Sequence, residues 1–162
     1  MRDVEDTELA TRVHEALLSQ RLTVACAESL TGGGLGDLLS STSGASATYR
    51  GGVVPYATDV KQTLLGVSDE LVEVHGVVSA ECAARMAGGV RTLLGSDFGV
   101  STTGVAGPLP QEDKVPGTVY VAVAGPNGVR AHALHLHGDR REIRERTCRA
   151  ALVALLDALG DE

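Results

Sequence analysis

The sequence predicts an α/β fold of three layers, with helices on both faces of a mixed, mostly parallel sheet and an antiparallel hairpin late in the chain. Three observations carry this expectation. Short apolar runs alternate with segments of helical periodicity over the first hundred or so residues, the pattern of parallel strands joined by crossover helices. Gly125-Pro126-Asn127-Gly128 separates two further apolar runs and is a hairpin signal. With one Phe, three Tyr and no Trp, the core must be built from Ala, Val and Leu, which suits helices packed closely on a sheet. The 162 residues contain neither an internal repeat nor a linker, so residues 1–162 read as one domain with room for a sizeable core.

Taken in order, Asp6 or Thr7 is placed to cap a first helix, in which Leu9, Val13, Ala16 and Leu17 share a face as far as Gln20. Leu22–Cys26 is an apolar run and reads as a short buried strand. Ala27-Glu28-Ser29-Leu30-Thr31-Gly32-Gly33-Gly34 joins it to a helix from about Leu35 to Leu39. A small-residue loop through Ser46 leads to a second strand, Tyr49–Tyr56, where Gly51-Gly52 suggests a bulge or a close backbone approach. Thr58-Asp59 opens a short helix closed by Gly66, and Ser68 opens another that ends at His75-Gly76. Ser79 opens a longer helix with Ala83, Met86, Ala87, Val90 and Leu94 at helical spacing, followed by a third strand, Phe98–Thr102. Gly104–Gly117 has no regular pattern, and loops of that length are usually functional. Val119–Ala124 is apolar on both faces, hence central, and Val129–His137 pairs with it. The last helix opens at Asp139, with Cys148, Leu152, Leu155, Leu156 and Leu159 as its buried stripe.

Composition excludes several classes. A formal charge of −7 argues against a general nucleic-acid surface, which needs clustered Lys and Arg. No apolar run reaches a membrane-spanning length, and Met1-Arg2-Asp3-Val4-Glu5-Asp6 lacks the basic-then-apolar layout of a leader; the expectation is a cytoplasmic protein with no membrane partner. Cys26, Cys82 and Cys148 lie far apart in apolar surroundings and read as core residues. His135 and His137 share a strand face at a spacing compatible with a metal, but His132 falls on the opposite face and no third ligand is near, so a half-exposed strand face is preferred and no metal or cofactor is expected.

Ligands of open α/β sheets gather outside the carboxyl ends of the strands, and three such ends here are rich in glycine or polar residues: Glu28 to Gly33, Tyr56 to Lys61, and Thr102 to Pro108. In the first, Ser29 offers a nucleophile, Thr31 a helix cap or a substrate contact, and the glycines backbone N–H groups at a helix N-terminus that could face an anion. In the second, Lys61 falls at the third helical position if Thr58 is the cap; the helix N-terminus would lower its pKa and favour a neutral amine able to deprotonate a serine. Taken alone, the position favours a lysine swung out into water. Near the last helix, Glu142/Arg146 and Glu145/Arg149 form i,i+4 pairs, but Arg140, Arg141 and Arg144 crowd a helix start, where an anionic ligand would relieve their repulsion.

These blocks together resemble the C-terminal domain of the competence/damage-inducible CinA proteins, a family also found alone as nicotinamide-nucleotide amidase. The resemblance runs from about Glu8 to Leu159 through Ala27–Gly33, Gly51-Gly52-Val53-Val54 leading to Tyr56 and Lys61, Leu64–Val67, His75–Ser79, Thr103–Pro108, Gly117–Val119 and Gly138-Asp139-Arg140. It implies hydrolysis of the carboxamide of nicotinamide mononucleotide to nicotinate mononucleotide and ammonia, without metal, by a serine-lysine mechanism. The family's serine maps to Ser29 and its lysine to Lys61, with Tyr56 beside them. Tyr56, Thr103, Gly104 and Gly107 map to the family's pocket; the expected substrate site adds Thr31, Gly32, Gly33 and Ala106, with Arg140, Arg141 or Arg144 for the phosphate. The resemblance also implies a homodimer. Two departures bear on substrate affinity and loop closure: Leu109–Asp113 is one residue shorter than usual and leads into Lys114-Val115-Pro116-Gly117-Thr118 rather than Lys-Pro-Val-Gly-Thr, and Pro55 stands where a small residue is common. A rival expectation is a catalytically silent nucleotide-binding or regulatory module; a second, suggested only by the family's name, is an interaction module in DNA uptake or repair.

Overall fold

The computed structural model describes residues 4–160. Met1, Arg2 and Asp3 of the stretch read for a leader, and the last two residues of the 1–162 span, lie outside the described residues. The order of elements is α1 Val4–Gln20, β1 Val24–Glu28, α2 Gly34–Leu39, β2 Tyr49–Val53, α3 Thr58–Leu65, α4 Asp69–His75, α5 Ala80–Leu94, β3 Phe98–Gly104, β4 Thr118–Gly125, β5 Gly128–His135 and α6 Arg140–Gly160. A single 3₁₀ turn, Ala45–Ala47, precedes β2.

The five strands lie in the order β2-β1-β3-β4-β5. β1 pairs in parallel with both β2 and β3, while β3–β4 and β4–β5 are antiparallel, so four strands point one way and β4 alone runs against them. This is the expected mixed sheet with its late hairpin, closed at Gly125↔Gly128 around Pro126-Asn127.

Two apolar layers sandwich the sheet. On one face, Ala10, Val13 and Leu17 of α1, Leu35 and Leu38 of α2, and Cys148, Leu152 and Leu155 of α6 pack on Val24, Val100 and Val121. On the other, Leu65 of α3 and Cys82, Met86 and Val90 of α5 pack on Ala25 and Ala27. Alternate residues of each strand supply the two faces, as the period of two requires. The near absence of aromatic rings lets the layers close on small side chains: Ala83 and Ala87 of α5 meet Ala122 and Ala124 of β4.

Several boundaries differ from the sequence expectation. β1 begins at Val24 and extends through Ala27 and Glu28, because Glu28 is buried and behaves as a strand residue. β2 ends at Val53, short of Tyr56. Asp6 lies inside α1 and caps nothing; it is buried against Arg149 Nε at 2.6 Å, stapling α1 to α6. That long-range pair replaces the expected Glu145/Arg149 pair, since Glu145 binds Arg141 instead, and Arg146 donates to the His137 carbonyl rather than pairing with Glu142. Glu142 and Asp139 form a reciprocal capping box at the start of α6: the Glu142 N–H donates to Asp139 Oδ1 at 2.9 Å, and the Asp139 N–H to Glu142 Oε2 at 2.8 Å.

Candidate active site

Because β2, β1 and β3 are parallel, their carboxyl ends open on the same edge of the sheet, where the strand order reverses. The three polar strand ends meet there around a cavity of about 450 Å³, within the range of small-molecule sites. Its lining includes Ser29, Tyr56, Thr58, Lys61, Thr103, Gly104, Ala106, Gly107 and Arg140.

At its floor, Ser29 and Lys61 touch. Ser29 directly follows β1 and its N–H donates to the Thr102 carbonyl at 3.0 Å, which fixes the residue against β3. The Lys61 Nζ donates to Ser29 Oγ at 2.9 Å and to the Tyr56 carbonyl at 2.9 Å. The lysine is 2% exposed, so it is not the solvated surface residue that its position alone favoured. Ala57, not Thr58, is the N-cap of α3, which moves Lys61 one position into the helix. Desolvation by burial pushes the Lys61 pKa below the ordinary lysine value, against an opposing pull from the Cys82 thiol once it ionises and from Glu112. No carboxylate is hydrogen-bonded to the amine among the described residues. A lysine in this setting loses its proton more readily than a solvated one and, once neutral, can accept one from the serine it contacts. The buried thiols are the opposite case: burial pushes Cys82, near Lys61, up to about 11 and Cys26, on the other face of the sheet, up to about 12, which leaves both neutral near pH 7.

Behind Ser29, the glycine turn is organised by Glu28, a residue to which the sequence reading gave no role. The side chain is 2% exposed. Its Oε1 accepts from Thr31 Oγ1 at 2.6 Å and from the Leu35 N–H at 2.7 Å, and its Oε2 accepts from the Gly36 N–H at 3.0 Å. The carboxylate therefore occupies the N-terminus of α2, the end expected to face a substrate anion. Thr31 is not the cap either. Gly33 is, with a φ of 108° that a side chain would strain. Since the only hydroxyl proton of Thr31 goes to Glu28, Thr102 must donate the 2.8 Å bond between the two threonine hydroxyls. Thr31, Gly32 and Gly33 thus support the serine from behind and do not line the cavity.

The three crowded arginines separate. Arg140 reaches the cavity mouth, donating through Nη1 to the Gly107 carbonyl at 2.7 Å and through Nη2 to Tyr56 Oη at 3.2 Å. Arg144, one turn on, donates to the carbonyls of Leu30 and Thr31 at 2.9 and 3.3 Å and clasps the serine turn from outside. Arg141 points elsewhere, to Glu145 at 2.8 Å, and lines a separate cleft between α1, α2 and α6. Only Arg140 is placed to meet a ligand above Ser29. The far wall is made by the β3–β4 loop. Thr103 Oγ1 donates to the Val77 carbonyl at 2.7 Å, and the N–H groups of Ala106 and Gly107 have no backbone acceptor among the described residues. Val77 and Val78, whose block entered the sequence reading only as part of the resemblance, close the side. His135 and His137 meet edge to face at 5.2 Å on the exposed side of the hairpin. No cluster of three potential metal ligands occurs among the described residues, and no described helix is long and apolar enough to cross a membrane.

Comparison with known proteins identifies the family and the fold. Residues 6–159 match the family model described as the CinA C-terminal domain. A CinA-like protein of Frankia casuarinae is 49% identical over 141 residues, 87% of this chain and 32% of that protein. A CinA-like protein of Synechococcus sp. is 49% identical over 138 residues, 85% of this chain and 33% of that protein. The chain therefore spans about a third of the length of these relatives. Among solved structures, the competence/damage-inducible protein of Agrobacterium tumefaciens superposes with a TM-score of 0.93 at 36% identity, covering 99% of this chain and 98% of that one. A CinA superfamily protein of Klebsiella pneumoniae superposes with a TM-score of 0.94 at 33% identity, covering 97% and 99%.

Proposed function

This chain belongs to the CinA C-terminal domain family, and on that premise we propose that it is an amidohydrolase acting on the carboxamide of nicotinamide mononucleotide. The observation that carries the reading is the 2.9 Å contact between Ser29 Oγ and the Nζ of a lysine that is 2% exposed. Neutral Lys61 takes the proton of Ser29 as Oγ attacks the carboxamide carbon. Ala106 and Gly107 of the β3–β4 loop line the cavity, and their N–H groups, which no backbone carbonyl among the described residues takes, are the donors assigned to the oxyanion that forms. Lys61 then delivers the proton to the departing nitrogen, ammonia leaves, and an ester to Ser29 remains. Water, deprotonated by the same lysine, attacks the ester; Oγ recovers a proton and nicotinate mononucleotide is released. Tyr56 contributes through two atoms: its carbonyl holds the lysine amine, and its hydroxyl holds Arg140. The spare N–H groups of Arg140 at the mouth suit a phosphate, which gives the phosphorylated nucleotide precedence over its riboside.

The test is ammonia release by the purified protein from nicotinamide mononucleotide, nicotinamide riboside and free nicotinamide. Release in that order of preference supports the reading. Mononucleotide binding with no release from any of the three refutes it and points to a silent nucleotide-binding module.

A further inference from the structure

The loop that forms the far wall of the cavity ends in a turn of unfavourable backbone geometry. Gln111 and Lys114 exchange backbone hydrogen bonds of 3.1 and 2.9 Å, closing a two-residue turn in which Glu112 and Asp113 have φ of 52° and 59°. Two successive residues in the left-handed region are the signature of a turn that Asn-Gly fills without strain, and glutamate is a poor occupant. What its side chain does explains its presence. The Glu112 carboxylate accepts from the Val77 N–H at 3.0 Å and the Val78 N–H at 2.8 Å. Lys114 Nζ lies 3.9 Å from the same carboxylate and donates to the Val78 carbonyl, clasping the segment from its other polar side. Gly76 makes room, since a Cβ there would sit 2.6 Å from Glu112 Oε2. On their inner sides the two joined segments are cavity wall: Val77 and Val78 on one, Pro108 to Gln111 on the other.

We propose that Glu112 is a positioning residue: docked on the Val77 and Val78 amides, it holds the Pro108–Gln111 wall against the cavity and thereby sets affinity for the nucleotide without taking part in the chemistry. The latch needs no external ligand, because every group in it belongs to the chain. The substrate it serves rests on the amidase reading above, whereas the latch itself is testable without it.

The experiment compares the parent chain with Glu112→Gln, Glu112→Asp and Lys114→Met. Amide hydrogen exchange at Val77 and Val78 reads the latch directly, with Val100 in the central strand as the internal reference. Exchange at both amides should accelerate roughly tenfold or more in Glu112→Gln, the equivalent of one charged hydrogen bond, and by less in Lys114→Met. Steady-state kinetics on nicotinamide mononucleotide should show KM raised roughly tenfold in Glu112→Gln, with kcat nearly unchanged on its high-pH plateau because loss of the Glu112 charge acts on Lys61 only by lowering its pKa further, and partial recovery in Glu112→Asp, which keeps the charge. Unchanged exchange at Val77 and Val78 overturns the latch. Faster exchange with unchanged KM overturns its role in substrate affinity. A parent that releases no ammonia refutes the amidase reading alone and leaves the exchange comparison to decide the latch.

Discussion

Replacing Lys61 by methionine should make the protein more stable while abolishing its activity. Methionine matches the length of the lysine stem and suits a site that is 2% exposed. The substitution removes two hydrogen bonds, to Ser29 Oγ and the Tyr56 carbonyl, each contributing about 1 kcal/mol. Both acceptors adjoin the cavity, where water can replace the amine. Against that loss stands the cost of burying an ammonium with no carboxylate in contact, several kcal/mol. The net expectation is a gain of about 1–2 kcal/mol near neutral pH, or roughly 2–8 °C in Tm for a chain of this size. The gain should depend on pH in one direction. Desolvation lowers the folded-state pKa of Lys61, so the parent is relatively most stable above the unfolded lysine's pKa and loses that stability as pH falls through the depressed value. The advantage of Lys61→Met should therefore be greatest in acid and shrink as pH rises towards that of a free lysine. Activity should fall about 10²–10⁴-fold, the usual worth of a general base, and Lys61→Arg should be equally inactive because arginine keeps its proton. Thermal unfolding from pH 6 to 10 with parallel ammonia assays provides the check. A variant less stable than the parent throughout, or a stability gap that does not change with pH, would refute the argument that burial depresses this amine.

Two further outcomes follow from the geometry. Glu28→Gln should destabilise the fold by about 2–4 kcal/mol in urea titration, because whichever way the amide turns, its NH₂ meets the N–H of Leu35 or Gly36; a loss under 1 kcal/mol would show that these contacts are dispensable. Arg140→Gln should reduce the preference for mononucleotide over riboside, read from kcat/KM, by about 1.5–3 kcal/mol, while Arg141→Gln should leave it unchanged; equal effects of the two would contradict the placement of Arg140 alone at the mouth.

Much of the architecture was legible in the sequence because each layer announces itself locally. The hairpin at Gly125–Gly128, the caps at Ser68 and Ser79 and the apolar stripe of α5 are short-range signals, and the structure has each where expected. The site was legible to the extent that its residues sit at strand ends. Ser29 and Lys61 are 32 positions apart, and only the parallel pairing of β1 and β2 brings their loops together. What stayed hidden depends on partners a sequence does not display. The burial of Glu28 is satisfied by backbone amides of a helix that begins six residues later, so nothing in the side-chain pattern revealed it. The arginines misled for the opposite reason. Treated as one cluster, Arg140, Arg141 and Arg144 suggested a shared anion, yet helical spacing puts 140 and 144 on one face and turns 141 about 100° away. The capping box at Asp139 and Glu142 explains how α6 starts without any such ligand.

The central claim is that Ser29 is the nucleophile and Lys61 its base. The rate of ammonia release from saturating nicotinamide mononucleotide by Ser29→Ala, measured against the parent, tests it most directly. The Ser29 side chain lies at the floor of the cavity, and its loss leaves Arg140, Thr103 and the β3–β4 loop in place. Binding of the mononucleotide should therefore persist, while release falls to the background rate. Ammonia release by Ser29→Ala at a substantial fraction of the parental rate would contradict the account and transfer the chemistry to a water molecule or another group.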